Sequence, residues 1–194
     1  MNSSFLTCVL KYAKARPNQV IIKDEWNSWT WSDLLKDAER FAASIKKNFT
    51  SNPVAIPILV GRSGKVISAI LGCMLTENAF APLPIKQPAI RTKICLKKLG
   101  MNHILSALDD HEIYPEELKS LLVFEFDKIT QTSRQYKQNF KNKALYVLFT
   151  SGSTGEPKGV SCSHKNIMNT ILWSSDYLDW NKTDVMGCAT QFSF

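Results

Sequence analysis

Apolar positions along this chain come in short runs separated by stretches with helical spacing. Residues 20–24 and 29–31 read as two short strands around the turn Glu25-Trp26-Asn27-Ser28. Thr30 followed three residues later by Asp33 matches a capping box, so a helix begins there. Its face is Leu34, Ala38, Phe41, Ala42 and Ile45. Residues 54–60 suit a strand, and the interrupting Pro57 argues for an edge or a bulge. A helix is expected over 63–77, with Val66, Ile67, Ile70, Leu71 and Met74 as its apolar stripe. A strand over 80–83 closes at Pro84, and a helix over 88–99 ends at Gly100. Further strands are expected over 103–107, 121–126, 144–149, 160–162 and 185–189, and a last helix over 165–177. Such alternation predicts an α/β domain built on a largely parallel sheet. The polar stretch 127–142 is the candidate for a mobile surface connection.

Composition narrows the class. With 194 residues, 44% hydrophobic and 21% charged, the chain can build one real core. The longest apolar run, 66–75, is too short to span a bilayer, and residues 1–16 lack the pattern of a signal peptide. The five cysteines are scattered, odd in number and never spaced C-x-x-C, which argues against a disulfide framework or a zinc site and for a reducing cytoplasm. Lysine and arginine gather at 86–98 and 128–143 and bring the net charge to +7. No nucleic-acid recognition motif accompanies them, so they read as solvated faces.

The chemistry is concentrated in Thr150-Ser-Gly-Ser-Thr-Gly-Glu-Pro-Lys-Gly159, directly after an apolar strand. Its ten residues hold three glycines, four hydroxyls and one lysine. Glycines allow backbone N–H groups to turn onto an anion, hydroxyls donate to phosphate oxygens, and Lys158 adds a mobile positive charge. Pro157 stiffens the far end. The segment is not a Walker A loop, which needs G-x-x-x-x-G-K-S/T: two residues separate Gly155 from Lys158, and Gly159 follows it.

The stretch from Leu145 to Val160 resembles the signature phosphate loop of the adenylate-forming superfamily. That superfamily covers acyl-CoA synthetases, luciferases and nonribosomal peptide synthetase adenylation domains. Trp29-Thr-Trp-Ser-Asp-Leu-Leu35 resembles the family's "LTYxEL". Ile70 to Pro84 resembles "LAxLKAGxAYVPLD", departing at Thr76-Glu77-Asn78 and at the final Asp. Ser163-His-Lys-Asn-Ile167 resembles "SHxNL". Gln191-Phe-Ser-Phe194 is similar to the run into "FDxS" of the amino-acid-activating branch, which includes D-alanine carrier-protein ligases, whereas acyl-CoA synthetases tend towards "PLFHxxG".

The resemblance implies a partial N-terminal large domain of the adenylate-forming fold, with mostly parallel sheets and flanking helices. Residues 1–194 then form an incomplete N-terminal part of an AMP-binding domain, without the small C-terminal domain and without "YGPTE" and "YRTGD" motifs. It implies ATP and Mg2+ as cofactors and Thr150, Ser151, Gly152, Ser153, Thr154, Gly155 and Lys158 as the cofactor-binding residues. Phe194 would lie near the substrate carboxylate. No catalytic residue and no metal ligand is assigned within the chain. His164 stays open between a place near the nucleotide and a structural role. The implied function is activation of a carboxylic acid, by this branch an amino acid, as acyl-AMP for a phosphopantetheine thiol on a carrier protein or for CoA. Without those downstream motifs the chain should not complete that reaction alone; the resemblance implies a fragment, a truncated gene product, or one part of a split enzyme that would pair with a complementary C-terminal half. No nucleic acid and no membrane is expected. An acyl-CoA synthetase fragment and a non-catalytic nucleotide-binding module remain the alternatives.

Overall fold

A computed structural model of the chain describes residues 5–49, 55–110, 112–123, 144–151, 155–181, 183–190 and 192. It opens with helix α1, Phe5–Ala15, an element absent from the pattern expected above. Leu6, Val9 and Ala13 recur at helical spacing and are buried, which is the signal that the short apolar run conceals. Strands β1, Val20–Lys23, and β2, Ser28–Thr30, form an antiparallel hairpin. The second strand stops one residue earlier than expected because Thr30 caps helix α2, Trp31–Asn48. The Thr30 hydroxyl oxygen accepts from the Asp33 amide at 3.2 Å, and the Asp33 carboxylate accepts from the Thr30 amide at 3.1 Å. All five apolar face residues foreseen for this helix are buried.

The rest alternates: β3 Ile56–Val60, α3 Lys65–Leu75, β4 Phe80–Pro84, α4 Ala89–Leu99, β5 Ile104–Ser106, a 3-10 turn Glu116–Leu121 and β6 Leu122–Val123. Then come β7 Ala144–Ser151, β8 Pro157–Ser163 and α5 His164–Tyr177. Six strands make one sheet in the order β6-β5-β3-β4-β7-β8. Every neighbouring pair is parallel except β7 with β8. This is the mixed α/β architecture with a mostly parallel sheet that the alternation predicts.

Alternate residues of β3 serve opposite layers. Ile56, Ile58 and Val60 pack with Phe41 and Ile45 of α2 and Val66, Ala69 and Cys73 of α3. Leu59 packs on the other side with Cys95, Leu96 and Leu99 of α4. Ile67 and Ile70 of the expected α3 stripe are only partly buried, and Ser68, Ala69 and Cys73 take the inner positions.

The structure corrects three expectations. Pro57 does not mark an edge, since β3 pairs with both β4 and β5. Its pairing with β5 starts at Ile58 opposite Leu105, so the missing N–H falls one position before that ladder. Helix α3 is shorter than 63–77 at both ends. Ser63 belongs to the preceding loop, its hydroxyl accepting from the Lys65 amide at 3.0 Å. Residues 185–189 form no strand: they pair with none of the described strands, and Val185 stands 96% exposed. The stretch 124–142 lies outside the described residues, so of the strand expected over 121–126 only Leu122–Val123 is seen.

Two sites test the packing. A Cβ built on Gly72 would lie 2.6 Å from Phe41 Cβ and 3.0 Å from the Ala38 carbonyl oxygen, so α3 approaches α2 along a surface only glycine allows. Gly72→Ala should cost a net ~1–2 kcal/mol, overpacking outweighing the gain in helix propensity, measured by urea unfolding. At the end of α3, Glu77 holds φ 57, and its Oε1 is buried with no hydrogen-bond partner among the described residues. Glu77→Gly removes the left-handed strain and should raise stability by about 0.5–1 kcal/mol in the same assay.

Candidate functional site: the β7–β8 hairpin loop

The glycine-rich loop leaves the carboxyl end of β7, the edge of the sheet where α/β proteins of this kind receive ligands. Leu145, Val147 and Phe149 are buried, which fixes β7 in the sheet. Thr150 and Ser151 then continue the strand into solvent. The chain returns as β8 in antiparallel register, with Thr150 opposite Lys158 and Ser151 opposite Pro157. The Thr150 hydroxyl donates to the Lys158 carbonyl at 3.4 Å, tying the two arms where the loop begins. Pro157 is buried and anchors the returning arm.

Between the arms, Gly155 adopts φ 80, a left-handed turn with nothing within 4 Å of where a Cβ would stand. Lys158 is exposed, and its ammonium has no partner among the described residues. Thr150, Ser151, Gly155 and Lys158 are thus brought together at one exposed hairpin end. Gly152, Ser153, Thr154 and Phe194 lie outside the described residues.

The returning arm leads straight into α5. Ser163 caps that helix through a second capping box with Asn166, a pairing the motif reading of this segment leaves out. His164 is the first helical residue and is partly buried. On β8, Cys162 faces Tyr146 across the ladder, and this hydrogen bond together with burial pushes the Tyr146 hydroxyl up to about 12.

Sequence reasoning missed Glu156. Its carboxylate meets the Lys98 ammonium of α4 at 3.0 Å, and that contact lowers its pKa from the ordinary value. Fifty-eight residues separate the pair, so nothing local could signal it.

Elsewhere on the same edge of the sheet, polar side chains stitch three loops together. Asp24 of the β1–β2 hairpin accepts from the Gly64 amide at 3.0 Å. Asp109, after β5, accepts from Ser63 Oγ at 2.8 Å and Asn27 Nδ2 at 3.1 Å, with Lys65 Nζ at 3.8 Å. Glu112 accepts from the amides of Arg62 and Asp109 at 3.1 and 2.9 Å. These groups satisfy one another and hold the strand ends rigidly. Among the described residues no group of three or more His, Cys, Asp or Glu side chains is arranged to hold a metal. No helix among them is long and apolar enough to cross a membrane.

The family of AMP-binding enzymes matches residues 9–194, and the chain belongs to it. The chain is 30% identical over 180 residues to nonribosomal peptide synthetase kk1B of Curvularia clavata, covering 89% of this chain and 1% of that protein. It is 28% identical over 190 residues to a plipastatin synthase of Bacillus subtilis, covering 93% of this chain and 5% of that one. The chain therefore spans a small fraction of the length of these relatives. In structure it matches the nonribosomal peptide synthetase FmoA3 with a TM-score of 0.79 at 18% identity, over 99% of this chain and 20% of the other. That likeness shows the fold.

Because Gly155 is left-handed in open space, Gly155→Ala meets no clash and suffers only backbone strain. It should lower stability by ~1 kcal/mol, read from the denaturant midpoint.

Proposed function

We propose that the chain is the nucleotide-gripping part of an ATP-dependent ligase that activates a carboxylic acid as its acyl-AMP. The observation that carries this reading is the exposed pairing of Thr150 with Lys158 across the hairpin, joined by a left-handed Gly155. It leaves the Ser151 hydroxyl and the Lys158 ammonium facing solvent at that edge of the sheet, with the Thr150 hydroxyl beside them. A triphosphate tail fits that set of donors: the groups are short, positively charged or N–H and O–H bearing, and free of carboxylates aimed inward.

In this reading Thr150, Ser151, Gly152, Ser153, Thr154, Gly155 and Lys158 hold the β- and γ-phosphates. A carboxylate oxygen of the substrate bonds to the α-phosphorus while the bond from that phosphorus to the bridging oxygen breaks. The negative charge grows on departing pyrophosphate, where Lys158 and the loop hydroxyls stabilise it. Mg2+, brought in with the triphosphate, would add positive charge on the same oxygens. The acid is proposed to be an amino acid, with Phe194 near its carboxylate. The acceptor is proposed to be a phosphopantetheine thiol on a carrier protein, or CoA, and the compartment the cytoplasm.

The chain is proposed to act with a complementary C-terminal part. Helix α5 buries none of its residues, and Leu172, Trp173, Tyr177 and Leu178 are all more than half exposed. An apolar surface of that kind is usual where another polypeptide packs.

Two measurements test the reading. Lys158→Ala should weaken MgATP binding by at least about tenfold in calorimetry, the scale of a lost charge-assisted hydrogen bond, with little change in thermal stability. Unaltered affinity would remove the loop from its assigned role. Joined to the downstream part of an adenylation domain, the chain should support amino-acid-dependent exchange of pyrophosphate into ATP. Exchange driven by non-amino carboxylates and transfer to free CoA would favour the acyl-CoA synthetase reading instead. MgATP binding with no exchange for any acid would favour a non-catalytic nucleotide-binding module.

A further inference from the structure

Glu156 is the one acidic side chain within the glycine-rich loop, two residues from Lys158. In extended backbone that spacing is about 7 Å and puts two side chains on the same side. A free carboxylate there would do two harmful things to anion binding. It would repel a polyphosphate, and it would offer the Lys158 ammonium an internal partner. The structure shows neither. The Glu156 carboxylate turns away to Lys98 Nζ at 3.0 Å, on the last turn of α4, with Lys97 adding to the favourable field. Helix α4 also packs against β8. The tether has a firm base: α4 is seated in the core through Cys95, Leu96 and Leu99, and Pro157 beside Glu156 is buried.

We propose that Lys98 is a positioning residue for the phosphate loop, holding the Glu156 carboxylate on α4 so that Lys158 stays available to an anion. Lys98 touches no substrate. It acts through Glu156, and this inference rests on the phosphate-binding reading of the loop. A bare attraction between Lys98 and the ligand predicts different behaviour, because it does not depend on Glu156.

The test is a double-mutant cycle on MgATP binding to the whole chain, by calorimetry at fixed salt. Lys98→Ala should weaken binding about three- to tenfold, the size expected of one released charge at this range in physiological salt. Lys98→Arg should keep the parental affinity. Glu156→Gln should bind at least as tightly as the parent. The double variant should match Glu156→Gln, the loss on removing Lys98 having vanished with the carboxylate. An equal loss from Lys98→Ala with and without Glu156 would make Lys98 a plain attracting charge and overturn the inference, as would no loss at all. Both side chains are surface-accessible, so thermal transitions should be unmoved; Lys98→Gln, which keeps the aliphatic stem, serves where Lys98→Ala does not fold. A parent chain that binds no MgATP sinks the phosphate-loop reading and this inference together. A parent that binds, with a flat cycle, sinks the inference alone.

Discussion

A strand walled in on both faces can exist only if helices cover both, and β3 is such a strand: all five of its residues are buried. The other described elements are arranged around that requirement. Helices α2 and α3 close one face, and their close approach depends on the missing side chain of Gly72. Helix α4 closes the other. Parallel strands also need crossovers, and those crossovers bring the loops after β3, β5 and β7 to one edge. The placement of the glycine-rich loop follows from the covering of the sheet.

That edge is divided by chemistry. Around β3 and β5 the polar groups are spent on each other, through Asp24, Asp109 and Glu112. Around β7, among the described residues, the Ser151 hydroxyl and the Lys158 ammonium are open to solvent, the Thr150 hydroxyl is turned onto the Lys158 carbonyl, and Glu156 is led away to α4. The stitched loops around β3 and β5 and the open hairpin end at β7 thus stand side by side on one edge of the sheet.

Much of this is legible in the sequence because it is local. The capping box at Thr30, the face from Leu34 to Ile45 and the stop at Gly100 are statements about residues three to seven apart, and each appears in the structure. The glycine-rich loop is legible for the same reason, as is its emergence from an apolar strand. What escapes needs distant neighbours. Pro57 looks like an edge residue because its consequence depends on where β5 begins its pairing. The Glu156–Lys98 contact joins two elements far apart along the chain. Residues 185–189 have strand-like composition, but a strand also needs a partner for its backbone. Helix α1 is hidden because its buried positions, Leu6, Val9 and Ala13, sit within a short apolar run that masks their helical spacing.

The pleat of the paired arms ties the side on which Lys158 stands to the register of the ladder. Thr150 stands across from Lys158 because, past a register shift between Ala144 and Tyr146, β7 and β8 pair residue for residue, and there side chains change face at every step. Evolution could lengthen the tip by any number of residues and leave the lysine on its present side, because Lys158 keeps its place opposite Thr150. An odd insertion within the paired arm would invert the returning strand, turning Lys158 towards the opposite face and bringing its neighbours into its place. Homologous hairpins should therefore vary more freely in the length of the tip than in the length of the paired arms.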